Sequence, residues 1–181
     1  MMNSLTEKLK IMLAEKEPLI IAIDGRCGSG KTTLAKHLAS LLDGDIIHMD
    51  HFFLPPALRN EERVNVHYER FLEEVYPYLK QHIPFSYRIF DCSRMTYHGS
   101  KKVDAKPLLI IEGAYSLLPM WDEIFALRIF CDVDKDEQKE RIIKRNGIEA
   151  YQNFEKKWIP KEEAYFQKYE VRERCDLYYC P

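Results

Sequence analysis

A chain of 181 residues has the length of one domain and can bury a sizeable core. Its 27 basic and 29 acidic residues leave a net charge of −2, which excludes broad electrostatic capture of nucleic acid. A hydrophobic share of 46% and a charged share of 31% describe a soluble globular protein, and no apolar run is long enough to span a membrane.

The five cysteines (Cys27, Cys92, Cys131, Cys175 and Cys180) are odd in number, scattered, and without C-x-x-C spacing. They read as reduced thiols, and a cytoplasmic protein is expected. At the N-terminus Ser4-Leu5-Thr6-Glu7 reads as a capping box, and Leu5, Leu9, Met12 and Leu13 recur at helical spacing. The spacing predicts a helix over 4–15, stopped by Pro18. Glu7 and Glu15 break any signal-peptide core.

Next comes an apolar run, Leu19-Ile20-Ile21-Ala22-Ile23, and then Gly25-Arg26-Cys27-Gly28-Ser29-Gly30-Lys31-Thr32. These eight residues fit G-x-x-x-x-G-K-[ST] at every fixed position. Leu34, Leu38, Leu41 and Leu42 then recur at helical spacing, which makes the context strand, glycine loop, helix. Such a loop curls backbone N–H groups around an anion at the positive end of a helix. Gly25 through Thr33 are therefore the expected nucleotide-binding residues. Lys31 would reach the β- and γ-phosphates, and the Thr32 hydroxyl would meet Mg²⁺. ATP and Mg²⁺ are the expected cofactors.

Gly44 reads as the cap of that helix. Ile46-Ile47-His48-Met49 predicts a second strand, which delivers Asp50-His51-Phe52-Phe53 at its carboxyl end, where open α/β sheets place ligands. Asp50 is read as functional there, the alternative being a plain turn residue. Residues 55–65, with two prolines and a charge cluster, predict a mobile surface loop. Tyr68, Phe71, Leu72, Val75 and Leu79 predict a helix that Pro77 kinks or ends. From Pro84 to His98 runs an aromatic segment with Phe85, Tyr87, Phe90 and Tyr97, interspersed with Arg88, Asp91 and Arg94. It is either a hairpin that packs its rings into the core or a platform that stacks a substrate ring.

Leu108-Leu109-Ile110-Ile111 predicts a strand buried on both faces and ending at Glu112-Gly113. Glu112 there is placed to meet Mg²⁺ directly or through water, or else is a salt-bridging turn residue. A strand over 127–131 leads to Asp134, which opens a capped helix carrying Arg141, Lys144 and Arg145 and stopping at Gly147. The three cations share one face: either a solvated surface or a lid, over 141–160, that closes on transferring phosphate. A charged helix over about 161–174 and a strand over 176–180 complete the chain.

Strands alternating with helices argue for an α/β fold, a mostly parallel sheet with helices on both faces. With the phosphate loop, this predicts a P-loop NTPase three-layer sandwich around a five-stranded sheet, in a single domain. A GTPase is excluded because neither Asn-Lys-x-Asp nor Asp-x-x-Gly occurs, and a mechanical ATPase module needs more chain.

The phosphate loop, Asp50-His51-Phe52-Phe53, the segment Tyr87 to Arg94, and Ile111-Glu112-Gly113 together resemble the uridine kinase and phosphoribulokinase family of nucleoside kinases, over roughly residues 18 to 180. The resemblance implies ATP-dependent transfer of the γ-phosphoryl to a small molecule, with Lys31, Asp50, Arg141 and Arg145 as the catalytic set. It makes Asp50 the base facing the acceptor hydroxyl, and it implies acceptor contacts from Asp50, Phe53, Tyr87, Phe90 and Arg94. Thr32, Asp50 and Glu112 are the expected metal-facing residues. The sequence departs from the family's pyrimidine kinases at Cys92, where they carry a base-reading histidine. The acceptor is thus a nucleoside or a related alcohol such as nicotinamide riboside or pantothenate, unless the chain only binds ATP and regulates. The expected partner is that small molecule, with neither nucleic acid nor membrane, and a homo-oligomer is left open.

Overall fold

In the computed structural model the described residues are 2–59 and 64–181. Strands run over Leu19–Gly25 (β1), Gly44–His48 (β2), Phe85–Asp91 (β3), Thr96–Val103 (β4), Leu108–Glu112 (β5), Leu127–Cys131 (β6) and Leu177–Tyr179 (β7). Helices run over Met2–Glu15 (α1), Lys31–Leu41 (α2), Tyr68–Glu74 (α3), Tyr76–Gln81 (α4), Lys135–Asn146 (α5), Ile148–Asn153 (α6) and Ile159–Lys168 (α7).

Five strands form one parallel sheet in the order β2-β5-β1-β6-β7. Every residue of β1 and β5 is buried, as parallel strands covered on both faces must be. The period-2 alternation sorts their side chains into two cores. Ile20, Ala22, Leu109, Ile111 and Phe130 face Phe71 of α3, Leu79 of α4 and Phe166 of α7. Leu19, Ile21, Ile23, Leu108 and Ile110 face Leu5 and Leu9 of α1 and Leu34 and Leu38 of α2. The result is the expected three-layer α/β sandwich. Among the described residues no helix is long and apolar enough to cross a membrane.

β3 and β4 pair antiparallel, outside the main sheet. The hairpin turns Phe85, Tyr87 and Phe90 inward and leaves Ser86 and Arg88 exposed. Its rings pack with the core: Phe52 lies 4.9 Å from Tyr87 and 5.4 Å from Phe71 by centroids.

Several expectations are corrected. α1 begins at Met2, so Ser4 and Glu7 lie inside the helix and form no capping box; Thr6 bonds back to the Met2 carbonyl at 3.1 Å. Gly44 does not cap α2. Leu42 does, Asp43 takes the left-handed turn at φ 48°, and Gly44 opens β2. Glycine suits the close packing there, since a Cβ would sit 3.1 Å from the Leu108 carbonyl and push it aside by a few tenths of an ångström. The helix expected over 161–174 ends at Lys168. Val171 N–H bonds to Phe166 O and Glu170 N–H to Gln167 O, a Schellman ending in which Glu170 takes φ 49° without a glycine. The break expected near Pro77 falls at Val75, between α3 and α4. Of the loop expected over 55–65, residues 56–58 form a 3₁₀ turn and 60–63 lie outside the described residues.

Candidate active site

The phosphate loop joins β1 to α2 at the carboxyl edge of the sheet. Gly25 has φ 130°, and a Cβ on it would sit 2.0 Å from the Cys131 carbonyl, so β6 can lie against the loop only because the residue is glycine. The Lys31 ammonium donates to the carbonyls of Gly25 at 2.7 Å and Arg26 at 2.8 Å, at the mouth of the loop. The Ser29 hydroxyl is buried and has no hydrogen-bond partner among the described residues. A glycine-lined loop, a helix start, a lysine and an orphan hydroxyl form a donor set that fits a phosphate chain.

The outer arc of the loop is held by two helices. From α7, Glu162 accepts the Cys27 N–H at 2.9 Å, and Glu163 pairs with Arg26 at 2.7 Å. From α5, Gln138 donates to the Cys27 carbonyl at 2.9 Å and Arg141 to the Gly28 carbonyl at 3.2 Å. Beneath the loop, the buried Asp24 accepts from Gly25 N–H, Leu117 N–H and the Tyr165 hydroxyl. Burial and the nearby Glu162 push the Cys27 thiol up to about 12, which leaves it without thiolate character at neutral pH.

Three strands bring the remaining groups together. In the register of the sheet His48 of β2 and Ile23 of β1 both stand beside Glu112 of β5. Glu112 accepts the Thr32 hydroxyl at 3.1 Å and faces His48 Nδ1 at 2.5 Å. Two residues beyond His48, Asp50 sits in a 3₁₀ turn over Met49–Phe52. Its carboxylate has no hydrogen bond or ion pair among the described residues and opens onto the cleft. Asp50 is exposed at the cleft; loss of solvation against the surrounding protein, and then the Glu112 charge, raise it above the usual carboxylate range, against the pull of Lys31. Among the described residues no group of three or more His, Cys, Asp or Glu could hold a metal ion alone. The Thr32–Glu112 pair therefore fits Mg²⁺ in the way that ion is usually bound, by one or two protein oxygens together with phosphates and water.

These groups line one cleft of about 740 Å³. Of the expected site residues, Cys27, Gly28, Gly30, Lys31, Thr32, Thr33, Asp50, Phe53, Glu112, Arg141 and Arg145 line it. Tyr87, Phe90 and Arg94 do not. Tyr87 and Phe90 are buried, 1% and 2% exposed: Tyr87 packs on Phe52, and Phe90 on Tyr97. Arg94 sits on the exposed hairpin turn beside Asp91. The Arg26 side chain points to Glu163 and Asp132, away from the loop mouth, so its backbone alone belongs to the loop. Arg141 also pairs with Glu137, Arg145 lines the cleft, and Lys144 does not.

Sequence patterns missed the far wall. Tyr115, Trp158, Glu162 and Arg59 line the cleft. Tyr115 holds φ 72°, a strained conformation of the kind that clusters at functional sites. Trp158 ends a π-helical turn over Phe154–Trp158, again a frequent functional-site feature. Tyr115 stands three residues after Glu112, a proximity that could have pointed to it. Nothing in the spacing marked the other three.

A parallel sheet ordered β2-β5-β1-β6-β7, with a phosphate loop after β1, has the architecture of the P-loop nucleoside-triphosphate-binding fold. No protein-family profile matches the chain. The uridine kinase of Bacillus licheniformis is 29% identical over 154 residues, which cover 72% of this chain and 66% of that protein. The chain thus spans just under two-thirds of the relative it matches. Two solved structures share the fold. One is a possible uridine kinase from Bacillus stearothermophilus, at TM-score 0.69 and 20% identity, covering 97% of this chain and 99% of that one. The other is a candidate fructose transport system kinase from a Silicibacter species, at TM-score 0.78 and 22% identity, covering 99% and 98%. In sequence and in fold the chain resembles the uridine kinase-like P-loop kinases.

Proposed function

We propose that the chain is an ATP-dependent phosphotransferase that moves the γ-phosphoryl group to a hydroxyl of a small molecule, a nucleoside or a related alcohol. One observation carries the reading: Lys31, the Thr32–Glu112 pair and the unpaired Asp50 converge on one cleft from the ends of adjacent strands. The sequence kinship with proteins named uridine kinase supports it.

Phosphoryl transfer needs positioning and charge neutralisation more than covalent chemistry. Mg²⁺–ATP, when bound, would supply the phosphoryl group and a cation that neutralises its charge. Lys31 and the loop N–H groups hold the phosphate chain, Thr32 and Glu112 face the metal, and Arg141 and Arg145 approach from α5. Asp50 orients the acceptor hydroxyl and takes its proton. The transfer forms a bond from the acceptor oxygen to the γ-phosphorus, breaks the bond from that phosphorus to ADP, and leaves the proton on Asp50. His48, against Glu112, fixes the orientation of that carboxylate.

A coupled ADP-release assay over a panel of nucleosides and small alcohols tests the proposal. ADP release stimulated by one acceptor class supports it. Tight ATP binding with no stimulation by any acceptor would make the chain a nucleotide-binding regulator instead.

A further inference from the structure

The arginines of this chain are mostly neutralised at home. Arg26, Arg70, Arg88, Arg128, Arg141 and Arg172 each pair with a carboxylate. Two that line the cleft have no carboxylate partner among the described residues, Arg145 and Arg59. Arg145 comes from α5, beside the phosphate loop. Arg59 comes off the segment that follows Asp50.

Arg59 is held in place. It closes the 3₁₀ turn over Pro56–Leu58, with its N–H on the Pro56 carbonyl at 3.2 Å, and its Nε donates to the Leu54 carbonyl at 2.8 Å. Leu54 N–H is in turn fixed to the Asn65 carbonyl. That leaves the outer edge of the guanidinium for the cleft: Nη2 meets only the Met95 thioether at 3.8 Å, and Nη1 makes no hydrogen bond among the described residues. Cys92 marks where this edge lies. Burial pushes its thiol up to about 11, the Asp50 charge adds to the rise, and the Arg59 charge opposes it. Asp50, Arg59, Cys92 and Met95 all line the one cleft.

A half-buried guanidinium with no carboxylate partner among the described residues is matched by a planar or tetrahedral anion, which it binds through two charge-assisted hydrogen bonds. From this geometry we infer that the acceptor is an anionic alcohol, whose carboxylate or phosphate docks on Arg59 while its hydroxyl faces Asp50. This deepens the proposed function and rests on it. The unpaired cation also offsets the repulsion that Asp50, Glu112 and Glu162 would exert on such an acceptor.

The test uses matched acid and neutral pairs with the whole chain: pantothenate against pantothenol, orotidine against uridine, and glycerate against glycerol. Each is assayed for ADP release with ATP and titrated calorimetrically without it, on wild type, Arg59→Gln and Arg59→Lys. Acid members should be preferred. Arg59→Gln should raise the KM or Kd of the acid about 10- to 100-fold, as loss of charge-assisted bonds does, and leave the KM for ATP within about twofold. Arg59→Lys, which keeps the charge and loses the fork, should fall between. A neutral member used as well as its acid partner overturns the inference and leaves the kinase standing. So does an Arg59→Gln change that raises the KM for ATP as much as that for the acceptor, since Arg59 would then serve the donor. Acids that bind wild type but not Arg59→Gln, with no ADP release, support the anion site and sink the kinase reading. Acids that bind neither protein overturn the inference.

Discussion

Lys31 and Asp50 divide the chemistry of the cleft. Lys31 donates to two carbonyls of its own loop, contacts that a phosphate oxygen would replace. Lys31→Ala should weaken ATP binding about 10- to 100-fold, the worth of a charge-assisted hydrogen bond, with the circular dichroism spectrum unchanged. Unchanged ATP affinity in an equilibrium titration would contradict the assignment of the loop. Asp50 is different in kind, because it makes no hydrogen bond or ion pair among the described residues. Asp50→Asn keeps its size but cannot take a proton, so kcat should fall about 10²–10⁴-fold with the Kd for ATP nearly unmoved. Full turnover in the variant would reduce Asp50 to a turn residue, and collapse of Mg²⁺–ATP binding would make it a metal-facing group.

Elements differ in how openly their sequence declares them. β1, the phosphate loop, α2, β5 and β6 were legible because each is a local signal: an apolar run, a glycine pattern, a 3.6-residue period. Asp50 and Glu112 were legible because a residue at the end of a parallel strand has its place fixed by the strand. The aromatic hairpin was legible as an element, but its role was not. Period-2 alternation separates Tyr87 from Arg88, yet which face meets the core is decided by Phe52 and Phe71, distant in sequence. Tyr87→Ala should therefore act as a core truncation, costing about 3–5 kcal/mol of stability as large aromatic-to-alanine changes do. Thermal unfolding measures this directly, and an unchanged melting temperature with a raised acceptor KM would return Tyr87 to the site. Residues 148–158 carried no regular period, so the π-helical turn and Trp158 were not visible. Arg59 was hidden for another reason, since one arginine after two prolines carries no spacing signal. The Schellman ending of α7 was missed because Glu170 stands where glycine usually announces it.

At the scale of the molecule, the hairpin is tied to the sandwich by the Lys101–Asp45 pair and by an ionic hub at Glu74. Glu74 at the end of α3 accepts from the buried Arg70 and from the side chain and N–H of Arg88, and Arg70 also reaches the His51 carbonyl beside Asp50. Burial alone would raise the Glu74 carboxyl, but the hydrogen bonds from Arg70 and Arg88 outweigh it and hold it down to about 2, from an ordinary 4.5. A depressed carboxyl stabilises the fold above its unfolded pKa, and the benefit is lost as pH falls toward the folded one. The stability gap between wild type and Glu74→Gln should thus be full above about pH 4.5 and narrow steadily toward pH 2. A gap constant with pH in denaturant titrations would show that the hub contributes no ionic stabilisation. The packing on both faces of the sheet and this hub hold the segment around Asp50 beside the phosphate loop, and the proposed chemistry depends on that juxtaposition. Transfer of label from γ-³²P-ATP tests it most directly, with the acceptor panel, Mg²⁺ and the whole chain in one reaction. Label should appear on one acceptor class in amounts equal to the ADP formed, and disappear with Lys31→Ala. Label recovered only as inorganic phosphate or left on ATP, whatever the acceptor, would contradict phosphoryl transfer as the function of this cleft.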